Sequence, residues 1–205
     1  MNPETPLELA QFVVVDVETT GMSPLDDRIT EIAMMRVLGG HITEEFSTLI
    51  NPLITIPAFI TDITGIDNLM VENAPTAREV VPYVEEFLGN AIFTAHNASF
   101  DWAFVTSTAR RERSVELSND RLCTVKLTRR ILPFLLSKSL GPVARFLDVT
   151  IPQRHRASGD AFATAHILIR YLRYLQRKYA LRTVEELLRF QSMKPADLFA
   201  GMPAW

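Results

Sequence analysis

Asp16 and Glu18 stand one residue apart at the end of Phe12-Val13-Val14-Val15, an apolar run rich in β-branched residues that reads as a buried strand. Alternate side chains along a strand share a face, so the two carboxylates lie on one side, about 7 Å apart at the backbone. Side by side they repel and are costly to desolvate, a strain that a cation relieves. The pair alone also fits a plain strand end opening into solvent. Two more acids stand at predicted helix starts, Asp101 after Ser99 and Asp160 after Ser158, and His155 precedes Asp160 by five residues. An acid in a first helical turn is favoured by the helix dipole whatever its use. Together, however, four carboxylates with no cysteine beside them select a hard cation, Mg2+ or Mn2+, over zinc. They are too many for one octahedral magnesium that keeps positions open for water and substrate. They suit two metals about 3.5–4 Å apart, the arrangement for in-line displacement at phosphorus, with one activating water and the other stabilising the leaving oxygen. Histidine is the side chain type suited to taking a proton from water near neutral pH, so His155 is the natural general base. His96 competes for that role, although directly after a buried strand it fits a structural hydrogen-bonder equally well; His41 and His166 receive no role.

The elements that must position these groups change type along the chain. After the first strand, residues 22–28 hold a proline and paired aspartates and read as a loop. Residues 29–37 and 41–50 are two further strands, with Gly39-Gly40 between them as a hairpin signal, so the first three strands form an antiparallel meander. An extended connection over 51–57 leads to short helical turns at 58–64 and 68–73, broken at Gly65. A helix follows over 75–89, with Val80, Val81, Val84, Phe87 and Leu88 on its apolar face and Gly89 ending it. Residues 91–95 form a buried strand, and Ser99 caps a helix running to about residue 113, with Asp101 in its first turn. A strand at 121–124, helical turns at 125–132 and a short helix at 139–147 come next. Ser158 then caps a long helix to about residue 179, whose inner face carries Ala161, Ala165, Leu168, Ile169 and Leu172. A last helix spans 183–190, residues 193–205 form a tail, and 191–199 are a candidate docking segment, with a packed or loose chain end as the plainer reading.

The chain has 205 residues, enough for one well-cored domain, and its 47% hydrophobic and 22% charged content places it among ordinary globular proteins. No apolar run is long enough to span a bilayer and no signal peptide is expected, so the expected location is the cytoplasm, without membrane partners. Cys123 is the single cysteine, which excludes an intrachain disulfide and fits a reducing compartment. The net charge of −3 hides an asymmetry: residues 1–101 hold 16 of the 24 acids and three arginines, whereas residues 102–205 hold 18 basic and eight acidic residues. An acidic, cation-binding region facing a basic one that meets phosphate fits this split, as does a chance richness of arginine on helix surfaces.

Val-Asp16-Val-Glu18-Thr-Thr-Gly, Ala-His-Asn-Ala-Ser-Phe-Asp101 and His155-Arg-Ala-Ser-Gly-Asp160-Ala resemble the three motifs of the DEDDh 3′–5′ exonucleases, the DnaQ-like family that includes the proofreading epsilon subunit of bacterial DNA polymerase III. Ile32, Thr64-Gly65-Ile66, residues 124–130 and the helix after Asp160 extend the likeness over roughly residues 10–175. The resemblance implies a ribonuclease H-like α/β fold, a mixed five-stranded sheet flanked by helices. It implies that Asp16 bridges two Mg2+ or Mn2+ ions, that Glu18 and Asp160 complete the site of the nucleophile-bearing metal, that Asp101 helps hold the second, and that His155 is the base. Its lead over Asp160 matches the histidine branch of the superfamily. Thr64 stands where epsilon-type members usually have histidine; this version is more similar to exonuclease domains embedded in Gram-positive-type replicative polymerases or attached to helicases. Thr64, Gly65 and Ile66, together with Thr19, Thr20, Gly21 and Met22, are implied contacts for the terminal nucleotide. Asn97 and Phe100 are implied contacts for the last sugar and base, Phe100 also being a plausible packing aromatic.

The expected organisation is a leader over 1–10, an exonuclease domain over 11–180, and a C-terminal helix and tail over 181–205 belonging to the same domain. The expected activity is two-metal 3′–5′ hydrolysis of single-stranded DNA that releases nucleoside 5′-monophosphates in proofreading or repair. Its alternatives are an exoribonuclease acting on RNA 3′ ends, which no signature for the 2′-OH separates, and a non-catalytic nucleic-acid-binding polymerase-accessory module, for which four repelling carboxylates serve no purpose. A magnesium-dependent phosphatase fits the metals but not the motif spacing. A DNA polymerase or sliding clamp is the expected protein partner.

Overall fold

The structure, a computed structural model, describes residues 2–194. Strand β1 (Phe12–Thr19) alternates its side chains between two cores: Val13, Val15 and Val17 enter one, Phe12 and Val14 the other. Asp16 and Glu18 continue the Phe12–Val14 row and so emerge on that face. β2 (Ile29–Leu38) and β3 (His41–Leu49) complete the antiparallel meander. The turn between them sits at Gly39 and Gly40, with φ of 59° and 77°, a left-handed conformation that glycine adopts without steric cost.

Two short helices, α1 (Ala58–Thr64) and α2 (Asn68–Val71), precede α3 (Ala77–Leu88), and all three match the sequence periodicity. Thr76 caps α3 reciprocally with Glu79, whose Oε2 accepts from the Thr76 N–H at 2.7 Å. The crossover returns the chain to β4 (Ile92–Ala95), parallel to β1, and α4 (Ala98–Arg113) leads to β5 (Arg121–Cys123), parallel to β4. The strand order is β3-β2-β1-β4-β5, the mixed five-stranded sheet with its first three strands antiparallel that was expected. α5 (Thr124–Ile131), α6 (Leu140–Phe146), α7 (Ala157–Tyr179) and α8 (Val184–Ser192) follow.

α3 and α4 cover one face of the sheet, and α7 with α5, α6 and α8 covers the other. On α7, Ala157, Gly159, Ala161 and Ala165 are buried at the start, and Leu168, Leu172 and Leu175 further along. Each buried leucine contributes about 1.5–3 kcal/mol of burial. The small residues let the first turns of the helix lie close on β1 and β2, where the carboxylates are.

The expected caps are corrected. α4 begins at Ala98 with Asn97 before it, and α7 begins at Ala157 with Arg156 before it, so Ser99 and Ser158 are the second residues of their helices. Neither preceding residue caps its own helix with its side chain. A serine two positions inside a helix gives the same local sequence signal as a cap, and the preceding loops decide where the helix starts. Most of the candidate docking tail lies outside the described residues. Its first residue, Gln191, is buried on α8, where its amide accepts from the Cys123 N–H at 3.0 Å and donates to the Arg121 carbonyl at 2.7 Å, tying the helix to the β5 edge.

Candidate active site

β1 and β4 pair only as far as Val14 and Thr94, so the last part of β1 is open on that edge. α4, which follows β4, brings Asp101 into the notch; the carboxylate is 5% exposed and accepts from the N–H of Val17 as well as its own. From the opposite face the first turn of α7 delivers Asp160. Asp16, Glu18 and Asp160 each present a carboxylate oxygen, all within 4.8 Å of one another. The site therefore sits at the carboxyl end of β1, where the chain's neighbours switch from antiparallel β2 to parallel β4.

All four acids are raised, each by burial first. Burial and then the charges of Asp101, Asp160, Glu18 and Glu31 hold the Asp16 carboxyl well above its ordinary range. Burial, followed by Asp160, Glu31 and Asp101, pushes Glu18 to about 7, while Arg156 pulls it down. Asp101 is raised to about 7 by burial, against the hydrogen bonds it accepts. Asp160 is raised by burial and held back by the His155 N–H and by the charges of His155 and Arg154. Among the described residues, Asp160 Oδ1 is buried without a hydrogen-bond partner. An oxygen-only donor set that cannot ionise fully by itself, with one oxygen left without a partner, fits a divalent cation.

His155 is exposed, in the loop before α7, and holds a left-handed φ of 60°. The loop lies on the helix start because residue 159 is glycine: a Cβ there would meet the Gln153 carbonyl oxygen at 2.1 Å. His96 is different. Its Nε2 donates to the Lys138 carbonyl at 2.9 Å and its Nδ1 accepts from Thr124 Oγ1 at 2.8 Å. Burial lowers its pKa to about 4, so it is a neutral structural residue linking β4, α5 and the loop before α6.

The implied nucleotide contacts divide. Thr19 and Thr20 are buried, with their hydroxyls used inside the turn: Thr19 Oγ1 donates to the Gly21 carbonyl at 2.5 Å and Thr20 Oγ1 to Asp27 at 3.2 Å. Gly21 backs directly on the Asp27 carboxylate, 2.4 Å from where a Cβ would be, and Met22 is 78% exposed beside it. Thr64 is buried, donating to the Ile60 carbonyl at 3.0 Å and accepting from the Ile66 N–H at 3.1 Å, while Gly65 takes a φ of 72°. Ile66 is wholly buried in a small satellite core with Ile56, Ile60 and Val71. The side chains that this segment exposes are Phe59 and Ile63, which sequence reasoning passed over. Asn97 is exposed and accepts from Ser99 Oγ at 3.2 Å; Phe100 is half-buried against Phe104, ring centres 4.9 Å apart.

Sequence reasoning also missed Glu31 and Arg156. Glu31 is 4% exposed on β2, directly opposite Glu18, and forms a two-point ion pair with Arg156, Nη2 to Oε1 at 2.7 Å and Nε to Oε2 at 3.0 Å. The signal was available: a lone charge in the stretch from Ile29 to Met35, apolar but for Thr30 and itself, needs a partner.

A ribonuclease H-like sheet with a carboxylate cluster at its switch point defines a nuclease of the exonuclease class, and comparison with known proteins bears this out. The profile of the RNase T exonuclease family matches residues 13–168. The PolC-type DNA polymerase III of Caldanaerobacter subterraneus subsp. tengcongensis is 40% identical over 177 residues, 86% of this chain but 12% of that protein. The DNA polymerase III subunit epsilon of Aquifex aeolicus is 38% identical over 183 residues, 89% of this chain and 91% of that protein. Among solved structures, Exonuclease X in complex with 5′-overhanging duplex DNA aligns over 88% of this chain and 99% of that one, with a TM-score of 0.69 and 27% identity. The chain belongs to the exonuclease family. It spans about an eighth of the PolC-type relatives it matches and nearly the whole length of the Aquifex epsilon subunit.

Proposed function

We propose that this chain is a metal-dependent 3′–5′ exonuclease that shortens single-stranded DNA and releases nucleoside 5′-monophosphates in proofreading or repair. The observation that carries the proposal is the convergence of Asp16, Glu18 and Asp160 within 4.8 Å, with Asp101 buried behind them. Two divalent cations, Mg2+ or Mn2+, would when bound polarise the attacking water and neutralise charge on the leaving oxygen. Asp16, whose carboxyl feels the charges of Asp101, Asp160 and Glu18, would hold both. Glu18 and Asp160 would complete one position, and Asp101, fixed by the Val17 N–H, the other. His155 would take the proton from the water, its exposed loop seated next to Asp160. Met22, Phe59 and Ile63 offer apolar surface on which unstacked terminal bases can rest. The Thr19–Gly21 turn, Thr64–Ile66, Asn97 and Phe100 would shape the pocket, Thr19, Thr20, Thr64 and Ile66 through backbone and packing.

DNA is favoured as substrate by the relatives, which are DNA polymerase III components, and by Exonuclease X, solved with DNA. The same relatives support action beside a replicative polymerase. The test is 5′-labelled single-stranded DNA and matching RNA, incubated with Mg2+ or Mn2+ beside Asp16→Ala. A ladder shortening from the 3′ end, absent in the variant and with chelator, is expected, with DNA cut faster. No shortening under either metal, with binding intact, would overturn the catalytic reading.

A further inference from the structure

Glu31 binds more than Arg156. Its Oε2 also accepts from the backbone N–H of Ala157, the first residue of α7, at 2.9 Å. Arg156 provides no side-chain cap to the helix it precedes, so a carboxylate from β2 satisfies a first-turn donor of a 23-residue helix and meets the positive end of its dipole. Three N–H groups from two consecutive residues converge on this one buried carboxylate. Glu31 thus accepts on both oxygens and is charge-paired, and it stands outside the carboxylate cluster formed by Asp16, Glu18 and Asp160.

The position of this clamp in the chain matters. His155 precedes Arg156, and Asp160 comes three residues after Ala157. Glu31 itself lies opposite Glu18 in the β1–β2 ladder. The strand pairing sets Glu18, and the clamp sets the helix start against that same pairing. The missing side chain at Gly159 then seats the Gln153 backbone on the first turn, so the loop that carries His155 is referenced to the same point. The geometry points to Glu31 and Arg156 as positioning residues: a buried, charge-matched clamp that registers Asp160 and His155, from α7, against Asp16 and Glu18, from β1. This inference rests on the exonuclease reading of the site and adds to it the part that aligns its two halves.

Glu31→Gln retains the shape and one acceptor but loses the charge; Arg156→Lys retains the charge but loses the two-point geometry. Arg156→Ala leaves a hole of guanidinium shape beside a buried carboxylate. Each variant is compared with wild type for folding by circular dichroism, for Mn2+ affinity by titration without nucleic acid, and for kcat and KM on a single-stranded oligonucleotide. A positioning role lowers kcat by about 10–100-fold, as for residues that orient ligating groups elsewhere, weakens Mn2+ binding, and leaves KM close to wild type. Free guanidinium ion, against a sodium chloride control, restores part of the lost turnover in Arg156→Ala alone. Folded variants whose turnover and Mn2+ affinity match wild type overturn the inference and leave the pair as scaffold. If Glu31→Gln does not fold, Arg156→Lys and the guanidinium rescue decide in the same way. The Mn2+ titration requires no hydrolysis, so a wild-type protein that cuts nothing overturns the proposed function while the clamp is still judged.

Discussion

Replacing Asp101 by asparagine removes one charge from a site that, without metal, holds too many. The carboxyl is 5% exposed, so little solvent screening applies, and burial has moved it from 3.8 to about 7. A carboxyl raised on folding binds more protons in the native state than in the unfolded chain between those two values. Stability is therefore fully present below the unfolded pKa and falls as pH rises to the folded one. Three pH units correspond to about 4 kcal/mol lost by pH 8. Asparagine avoids this loss but gives up one of the two hydrogen bonds accepted from Val17 and Asp101 itself, about 1–2 kcal/mol. In chelator, Asp101→Asn is expected to be about 2–3 kcal/mol more stable than wild type at pH 8, and equal or slightly less stable at pH 5. Relief of the repulsion that Asp101 exerts on Asp16 and Glu18 acts in the same direction. The assay is urea and thermal unfolding at both pH values, where the gain at pH 8 corresponds to about 4–12 °C for a chain of this length. Saturating Mn2+ should reverse the order, because wild type gains binding free energy that the variant lacks. A variant no more stable than wild type at pH 8, or a difference that does not depend on pH, would refute the account of the site as electrostatically overloaded.

Mn2+ must displace protons from Glu18 and Asp101, whose carboxyls burial pushes up to about 7. Its affinity, measured by calorimetry, should fall by about 10–100-fold from pH 8 to pH 6, with proton uptake by the buffer. Gly159→Ala places a methyl group on the Gln153 backbone, 2.1 Å from the carbonyl oxygen, and should destabilise by about 1–3 kcal/mol in urea unfolding while lowering turnover through the displaced His155 loop. His96→Phe leaves the Lys138 carbonyl and Thr124 hydroxyl unpartnered and should cost about 2–3 kcal/mol of stability. Turnover per folded molecule and the pH–rate profile should not change, because His96 is already neutral throughout the working range.

Much of the site was legible in local sequence because the groups belong to short, patterned segments. An acidic pair at the end of a β-branched run must share a face, and acids in the first turns of Ala98–Arg113 and Ala157–Tyr179 must stand at helix entrances. The Gly39-Gly40 turn and the apolar stripes located the strands and helices for the same reason: φ/ψ preference and side-chain period act over a few residues. What local pattern does not contain is which distant segments meet. Only strand order placed β4 beside β1 with its pairing ending at Val14, and that opening lets Asp101 reach the Val17 N–H. Only packing showed that the Thr19, Thr20 and Thr64 hydroxyls are consumed inside their own turns, that Ile66 is core, and that His96 is a structural link. The Glu31–Arg156 clamp spans 125 residues, and neither partner's neighbourhood hints at the other. The sequence by itself determined the elements and the chemistry they carry, because both are written in nearby residues. The tertiary structure decided which groups share a volume, because burial, pairing and charge balance arise only where remote segments exclude water together.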